Sequence, residues 1–406
     1  MQYLSGSLHT RLRSLRALDK LEQKFQVEFT FNVYFTHHLF AIDNPLFREA
    51  IPPFQGSNPP SFLFVIDEGF LHHHPNLVQQ IRGYFAAHDA KMTLAGAPII
   101  VEGGENAKNE TKWIDNILSK VNQMKIDRHS YIVAIGGGAV LDMAGFAAAM
   151  AHRGVRLIRV PTTVLSQNDS GVGVKNGVNA FGKKNFLGTF EPPFAVINDL
   201  QFLTTLEDRD WRSGISEAIK VALIKDLDFF HEIEENVEAY NRRDLKAMTS
   251  LIKHCAKLHL DHIAGGDPFE KGSSRPLDFG HWAAHKLEQL TDYRIRHGEA
   301  VAIGIALDVT YSLLKGNISE ENWSRILQLI SGLGFDLYAP ELHATTEDGT
   351  LQVLKGLEEF REHLGGELTI MLLEELGKGV EVHEMDHELI VESLNILERQ
   401  HAKVTV

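Results

Sequence analysis

Short apolar runs and, later, helical spacing divide the chain into two parts. Residues 61–67 and 130–138 are almost continuously apolar and predict buried strands, while alternation over residues 27–36 predicts a half-buried strand. A helical segment follows residue 138 directly, and "RLIRVPTT" at 156–163 predicts the next strand. Strand, helix and strand joined by short loops are typical of a parallel sheet with covering helices.

From about residue 205 onward, apolar positions recur with helical periodicity, as in "SGISEAIKVALIK" and "GEAVAIGIALDVTYSLLK". We therefore predict an α/β fold with two domains, a parallel-sheet domain over residues 1–205 and a mostly helical domain over residues 206–406. A chain of 406 residues is long enough for two cores.

Charge and composition narrow the class of partner. The formal net charge of −14 disfavours nucleic acid and anionic membranes, because phosphate-rich polymers repel such a surface. The single cysteine, Cys255, excludes an intrachain disulfide and is interpreted as a small buried side chain. No apolar run approaches the ~20 residues of a membrane helix, and "MQYLSGSLHTRLRSL" has no signal-peptide core. We expect a cytoplasmic protein with a small-molecule partner.

Three features at predicted strand ends indicate a dinucleotide site. Gly136-Gly137-Gly138 follows a strand and opens a helix, where free N–H groups favour a pyrophosphate. Asp67 and Thr162-Thr163 close two other strands, and open α/β sheets bind ligands at the carboxyl ends of their strands. A glycine triplet alone is typical of any tight turn, so the prediction depends on all three features.

The segment 161–188 is predicted as a loop that binds a phosphate or a polyol. It concentrates ammonium and amide donors within an otherwise acidic chain. The donors and their one carboxylate are Asp169, Lys175, Asn179, Lys183, Lys184 and Asn185.

Histidines and one glutamate suggest a metal site. His281 and His285 share a face of one predicted helix, His297 begins the next, and Glu217 lies in an apolar helix three residues before Lys220. A buried glutamate needs a charged partner or a metal, and imidazoles with one carboxylate suit Zn²⁺ or a similar ion. Spacing alone leaves open which three side chains bind it.

In this order the motifs resemble those of the sugar phosphate cyclases, the superfamily of 3-dehydroquinate synthase. The stretches that carry the resemblance are "GGENAK", "GGGAVLDMAGFAAAMAHRGVRLIRVPTTVLSQNDSGVGVKNGVN", "GKKNFLGTF", "SGISEAIK", "LDFGHWAAH" and "HGEAVAIG". The resemblance implies an NAD-binding, Rossmann-like parallel-sheet domain followed by a helical metal-binding domain, with the active site in the cleft between them.

The resemblance also implies roles for individual residues. The implied ligands of Zn²⁺ or Co²⁺ are Glu217, His281 and His297. The implied NAD contacts are Asp67, Glu105, Lys108, Gly137, Gly138, Asp142, Thr162 and Thr163. The implied catalytic and substrate positions are Asp169, Lys175, Lys184, Asn185, Lys220, Arg275, Asp278 and His285, the last as a phosphate contact. Arg153 matches an arginine that reaches the neighbouring subunit's phosphate site, which implies a homodimer.

Departures from the 3-dehydroquinate synthase pattern bear on the substrate. Asp278 replaces an asparagine, and His259 and His363 stand where those enzymes carry lysines, so we expect both histidines at substrate or phosphate contacts. These changes resemble the cyclases of sedoheptulose 7-phosphate, such as 2-epi-5-epi-valiolone synthase, whose substrate lacks a carboxylate. The run "SSRPLDFGHWAAHKLE" also resembles the dehydroquinate-synthase-like proteins of the Ebo-cluster type. We predict a cyclase that converts a heptulose phosphate to a carbocycle, with phosphate elimination and no net consumption of NAD.

Three alternatives stay open at this point. The first is a true 3-dehydroquinate synthase, which Asp278 and His259 disfavour. The second is a metal-dependent polyol or alcohol dehydrogenase like the glycerol dehydrogenases, which share the glycine turn and the "PTT" sequence. The third is a degenerate cyclase that keeps NAD without catalysis.

Overall fold

A parallel sheet organises the first half of the chain. The computed structural model describes residues 21–54, 59–88, 90–181, 183–269, 277–363 and 366–404, and within these ranges seven strands form this sheet. They are β1 (Asn32–Thr36), β2 (Ser61–Asp67), β3 (Thr93–Leu94), β4 (Ile99–Val101), β5 (Tyr131–Gly136), β6 (Arg156–Pro161) and β9 (Ala195–Asp199). The order is β1-β9-β6-β5-β2-β3, with β4 also beside β2, and all pairings are parallel.

Helices cover both faces of this sheet. They are α1 (Leu46–Glu49), α2 (Glu68–His73), α3 (Leu77–Ala87), α4 (Thr111–Gln123) and α5 (Gly138–Met150). Leu63 and Val65 of β2 join one apolar core with α4 and α5, while Phe62 and Phe64 join the opposite core with α3. Because both faces are covered, β2 and β5 are buried along nearly their whole length, which confirms the two buried strands predicted from continuous apolar runs.

The second half is mostly helical, as predicted. Its helices are α6 (Asp208–Lys225), α7 (Leu227–Glu235), α8 (Val237–Asn241), α9 (Leu245–Ala264), α10 (His281–Leu290), α11 (His297–Leu314), α12 (Glu320–Gly332), α13 (Lys355–His363) and α14 (His387–Val404). An antiparallel hairpin of β10 (Ile370–Glu375) and β11 (Lys378–Val382) packs among them. Helix α11 is buried on all sides, and Cys255 is buried as predicted.

Two predicted elements differ from the structure. The first strand covers only Asn32–Thr36, because residues 27–31 lie outside any ladder and are largely exposed. The predicted loop 161–188 contains a π-helical turn, Ser166–Ser170, and an antiparallel hairpin of β7 (Lys175–Ala180) and β8 (Lys183–Phe190). These elements give the loop's polar side chains fixed positions.

The elements named above all belong to one unit, Phe31–Val406. The domain boundary at residue 205 stays a prediction. Among the described residues, every helix is too short or too polar to cross a membrane.

Candidate active site

The carboxyl ends of β2, β5 and β6 bring the predicted dinucleotide residues to one edge of the sheet. Asp67 ends β2 and accepts a hydrogen bond of 3.1 Å from the Phe70 amide, and burial raises its pKa. A Cβ on Gly103 would lie 2.5 Å from this carboxylate, so the neighbouring loop needs glycine there. Thr162 donates its amide to the Gly136 carbonyl (3.0 Å), which joins the ends of β5 and β6.

The glycine turn forms an open cradle at the start of α5. Gly137 is the N-cap of this helix with φ −72°, and among the described residues a Cβ there would contact only Thr163 Cγ2, at 3.6 Å. The site therefore offers a helix N-terminus without a side chain above it, which fits the pyrophosphate of a dinucleotide. A Cβ on Gly138 would instead meet Ser170 Oγ at 2.7 Å, so this position is closed by the turn Ser166–Ser170.

The other predicted NAD residues pair with each other or with the hairpin. Lys108 Nζ donates to Asp142 Oδ2 at 2.9 Å, and the lysine is buried. Asn179 Nδ2 of β7 donates to Glu105 Oε1 at 3.0 Å. The second contact ties the hairpin to the 3₁₀ helix Glu105–Lys108 that follows β4.

Glu217, His281 and His297 converge on one point, although they come from three helices. His297 Nε2 lies 3.3 Å and His281 Nε2 lies 3.6 Å from Glu217 Oε1, and one ligand atom of each residue falls within 4.8 Å of the others. Lys220 forms an ion pair with Glu217 Oε2. The sequence left the choice of ligands open, and the structure brings together the three that the resemblance implies.

This group fits a divalent cation. Glu217 is fully buried, and among the described residues neither of its oxygens has a well-oriented hydrogen bond, so its neighbours are ion-pair contacts only. Burial alone would raise the pKa of Glu217, but Lys220, His281 and His297 hold it well below its usual range. A buried carboxylate with two imidazoles is the donor set of three-ligand zinc sites, which keep a position for substrate.

Glycines and short polar contacts allow the three helices to approach. A Cβ on Gly298 of α11 would lie 2.2 Å from the Ser213 carbonyl of α6. A Cβ on Gly304 of α11 would lie 2.0 Å from the carbonyl of Gly280, whose φ of 76° turns the chain into α10. Asp308 then accepts 2.8 Å hydrogen bonds from the Gly280 amide and from Trp282 Nε1. These contacts fix the start of α10, where His281 lies.

The three histidines differ in charge because their surroundings differ. Burial and the nearby Lys220 ammonium lower the pKa of His281, and burial with His281 lowers the pKa of His285 well below its usual range. Burial opposes protonation of His297 too, yet the carboxylates of Glu288 and Glu217 raise its pKa to about 9. His281 and His285 are therefore neutral at pH 7.

Glu288 is a site residue that the sequence analysis missed. Its Oε2 lies 3.1 Å from His297 Nδ1, and both of its oxygens accept from Lys184 Nζ, at 2.8 and 3.0 Å. It is one helical turn beyond His285 on α10, and this spacing was the available signal. Burial alone would raise the pKa of Glu288, but His297 and Lys184 lower it.

His285, Glu288 and His297 form a second group with metal-ligand geometry. The Lys184 ammonium, whose pKa is raised by Glu288 and Glu105 against the effect of burial, already neutralises this carboxylate. The His285 ring packs against both His281 and His297, with ring centroids 5.4 and 5.9 Å away. Lys220 likewise pairs with Glu217, but the Glu288 oxygens already accept hydrogen bonds from Lys184, whereas among the described residues the Glu217 oxygens accept none, so the Glu217 group is the better candidate for a cation position.

Asp169 and His259 form a pair beside the metal group. His259 Nδ1 lies 3.0 Å from Asp169 Oδ1. Burial and Glu217 would raise the pKa of Asp169, but His259 and Lys220 lower it below its usual range. The turn that carries Asp169 is held by Asn168, whose Nδ2 donates to the Gly214 carbonyl of α6 at 2.7 Å.

A wholly buried arginine supports the segment 161–188, which was predicted to bind a phosphate or a polyol. Arg159 of β6 donates to the carbonyls of Gly171, Gly173 and Lys175 and to Asn176 Oδ1, at 2.7 to 3.1 Å. Burial lowers its pKa to about 10, while Asp142 opposes the shift. No role for Arg159 was predicted, because an arginine inside an apolar strand has no spacing motif.

The remaining predicted residues are placed as follows. Lys175 begins β7. Asn185 in β8 has φ 53°, and its backbone N–H donates to Asn179 Oδ1 at 2.8 Å. Asp278 precedes α10, and its backbone carbonyl accepts from the backbone N–H of His281. Arg153 lies on an exposed turn after α5 with φ 63°. His363 is the last residue of α13. Arg275 lies outside the described residues. The roles of all of these stay predictions.

Comparisons with known proteins define the class. The family models "3-dehydroquinate synthase N-terminal" and "3-dehydroquinate synthase C-terminal" match residues 98–213 and 214–355. The 3-dehydroquinate synthase of Acidithiobacillus ferrooxidans is 37% identical over 306 residues, which are 75% of this chain and 82% of that protein. The chain therefore belongs to the 3-dehydroquinate synthase family, within the sugar phosphate cyclase superfamily of phosphate-eliminating lyases.

Solved structures with the same fold bear out the predicted fold class. The 2-epi-5-epi-valiolone synthase of Streptomyces hygroscopicus, solved with NAD⁺ and Zn²⁺, has a TM-score of 0.83 at 26% identity and covers 94% of this chain and 100% of its own. A 2-deoxy-scyllo-inosose synthase, solved with carbaglucose-6-phosphate, NAD⁺ and Co²⁺, has a TM-score of 0.73 at 23% identity, covering 89% and 95%. At that identity the second likeness shows the fold alone.

Proposed function

We propose that this protein is an NAD- and divalent-metal-dependent sugar phosphate cyclase whose substrate is a heptulose phosphate without a carboxylate, like sedoheptulose 7-phosphate. The convergence of Glu217, His281 and His297 carries the proposal. The turn Ser166–Ser170 connects this group to the dinucleotide cradle, because Ser170 closes over Gly138 and Asp169 faces the metal group. The 2-epi-5-epi-valiolone synthase at 26% identity, solved with NAD⁺ and Zn²⁺, supports both cofactors.

When bound, a divalent cation would supply Lewis-acid polarisation of a substrate hydroxyl, and NAD⁺ would supply reversible hydride transfer. Glu217, His281 and His297 would hold the cation, and the N-terminus of α5 would hold the pyrophosphate. Lys220 stabilises negative charge that develops on the substrate oxygen next to Glu217.

Asp169 and His259 provide proton transfer. An ionised Asp169 can only accept a hydrogen bond, so the contact with His259 places a proton on Nδ1 of the imidazole. Nε2 of His259 is then left to exchange a proton with a substrate hydroxyl. Neutral His285, Lys184 and Asn185 are the proposed phosphate contacts, and Arg153 contributes from a second copy in the proposed homodimer.

The charges around the site favour a substrate without a carboxylate. At the position of His259, 3-dehydroquinate synthases carry the positive charge of a lysine. In this protein the position holds an imidazole whose Nδ1 is paired with the Asp169 carboxylate. Asp278 adds a further carboxylate whose field acts on Lys220 and His281. A carboxylated substrate would be repelled by both acids.

A two-substrate assay tests this proposal. The protein is incubated with NAD⁺, Co²⁺ and either sedoheptulose 7-phosphate or the keto-acid phosphate that 3-dehydroquinate synthases use, while free phosphate and NADH are followed. We expect phosphate release from the first sugar at a kcat/KM at least about tenfold higher, a difference of ~1.4 kcal/mol, with no net NADH. Preference for the keto acid would overturn the substrate, and steady NADH accumulation would indicate a dehydrogenase.

The second candidate is 3-dehydroquinate synthase itself. The relatives with 35% to 37% identity are enzymes of that name, and the second histidine of their motif is present as His285. The variant His259→Lys separates the two candidates, because a restored cation should raise kcat/KM for the keto acid and lower it for the neutral sugar. Lys257→Met on the same helix, which breaks an exposed pair with Asp261, is the matched control and should leave the ratio unchanged.

A further inference from the structure

Glu288 connects two parts of the proposed active site. It lies on the buried side of α10, and its carboxylate contacts the ring of His297 and the ammonium of Lys184. Each contact is at hydrogen-bond distance, at 3.1 Å for the imidazole and at 2.8 and 3.0 Å for the ammonium. The carboxylate is therefore held from two sides.

The two nitrogens of His297 face different acids. Nδ1 faces Glu288 Oε2 at 3.1 Å, while Nε2 faces Glu217 Oε1 at 3.3 Å. An ionised carboxylate can only accept a hydrogen bond, so the Glu288 contact places a proton on Nδ1. In the neutral ring this leaves the lone pair on Nε2, directed to the side where Glu217 and His281 meet.

Lys184 explains how a buried carboxylate is tolerated there. Side-chain exposure is 4% for Glu288 and 17% for Lys184, and a carboxylate with so little water needs an opposite charge. His297 becomes neutral when it binds a cation, and Lys184 then remains as the compensating charge. The pair therefore keeps Glu288 ionised, and able to accept from Nδ1, with the metal bound.

We propose that Glu288 is a positioning residue of the metal centre, which fixes the tautomer and the ring orientation of His297 so that Nε2 binds the cation. The inference rests on the proposed function, because it requires a cation at Glu217, His281 and His297. Carboxylates that orient a ligand imidazole in this way typically contribute about 10- to 100-fold to metal affinity.

Co²⁺ binding to the metal-free full-length protein tests the role without an activity assay. Visible absorption reports both the affinity and the coordination of the ion. We expect Glu288→Gln to weaken Co²⁺ binding about 10- to 100-fold and to shift the absorption bands, because the amide is uncharged and can present its NH₂ group to Nδ1. Glu288→Ala should weaken binding at least as much as Glu288→Gln.

Glu359→Gln is the matched control. Glu359 of α13 pairs with Lys286 of α10 at 2.5 Å and has a half-exposed side chain, so the variant removes one carboxylate beside α10 that does not contact His297. Its Co²⁺ affinity and spectrum should equal those of the wild type. Circular dichroism of each metal-free variant confirms folding, and the Gln variant is decisive if the Ala variant fails to fold.

Each outcome is informative. Wild-type affinity and spectrum in folded Glu288→Gln would overturn the positioning role, while the metal site itself would stand if His281→Ala still abolished binding. Absence of Co²⁺ binding by the wild type would overturn this inference together with the metal-dependent function. Equal loss in Glu359→Gln would show a general effect of charge on α10 and would also overturn it.

Discussion

At the scale of single residues, the site consists of buried charges that satisfy one another. Glu217 pairs with Lys220 and His297, Glu288 pairs with Lys184 and His297, and Asp169 lies within hydrogen-bond distance of His259. Removing one member leaves an unpaired partner, so the effect of each substitution identifies the group to which the residue belongs.

The first prediction separates the two histidines of α10. His281→Ala should abolish Co²⁺ binding, because only two of the three proposed protein ligands, Glu217 and His297, remain. His285→Ala should change Co²⁺ affinity by less than about tenfold and instead weaken binding of a phosphate ester. Titration of both variants with Co²⁺ and with sedoheptulose 7-phosphate distinguishes them. Loss of metal from both variants would show that the ligand assignment is wrong.

The second prediction concerns pH. In the metal-free protein the pKa of His297 is raised to about 9, so a cation must displace its proton at neutral pH. Because protons compete, the apparent Co²⁺ affinity should rise about tenfold per pH unit between roughly pH 7 and 8.5 and level off near 9. Calorimetry in buffers of different ionisation enthalpy should show release of about one proton per ion. A flat profile below pH 9 would contradict the assigned protonation of His297.

At the scale of elements, close backbone approaches set the geometry. Glycines stand where α6, α10 and α11 meet and where β5 turns into α5, and each leaves space that a side chain would fill. At Gly304 the missing Cβ admits the backbone of Gly280, whereas at Gly137 it leaves room for a ligand.

The third prediction follows from the space above Gly137. A Cβ there fits the protein, since its nearest neighbour in the described part of the chain, Thr163 Cγ2, is 3.6 Å away and φ is −72°, but it occupies the proposed approach of the pyrophosphate. Gly137→Ala should therefore fold normally and bind NAD⁺ at least about tenfold more weakly. Gly83→Ala in α3, where a Cβ would meet no described residue within 4 Å, is the control and should keep NAD⁺ affinity. Unchanged affinity in Gly137→Ala would place the dinucleotide elsewhere.

The fourth prediction concerns the junction of α10 and α11. Asp308→Ala leaves Trp282 Nε1 and the Gly280 amide buried without their acceptor, which should reduce the free energy of unfolding by about 3 kcal/mol. Asp261→Ala, which removes an exposed ion pair with Lys257, should change it by less than about 0.5 kcal/mol. Urea unfolding of both variants measures the difference. Similar values would show that Asp308 does not support the junction.

At the scale of the whole molecule, the sequence predicted the sheet and the helical half well. Continuous apolar runs identified β2 and β5, and helical periodicity identified α6 and α11, because these elements are buried on both faces or all around. The hairpin of β7 and β8 was missed, since its strands are polar and partly exposed and its pairing depends on contacts with distant residues.

The site was predictable only where its residues repeat at helical spacing or close a strand. His281 and His297 begin helices and Asp67 ends a strand, so local sequence marked all three. Glu288 stands at helical spacing after His285, but its contact with Lys184, 104 residues away in the chain, has no local pattern. Arg159 acts through partners up to 17 residues away, and no local pattern encodes those contacts either. Candidate metal ligands were visible in the sequence, and the fold brings Glu217, His281 and His297 within 4.8 Å of one another; their role stays a proposal.

The most direct test of the central claim is the position of the metal. Crystals of the protein grown with Zn²⁺ and NAD⁺ give an anomalous difference map at the zinc edge. We predict one strong peak at about 2.0–2.2 Å from Glu217, His281 Nε2 and His297 Nε2, next to the nicotinamide of a dinucleotide bound above Gly137. A peak at His285 and Glu288 instead, or a dinucleotide bound with no peak at Glu217, would contradict the account.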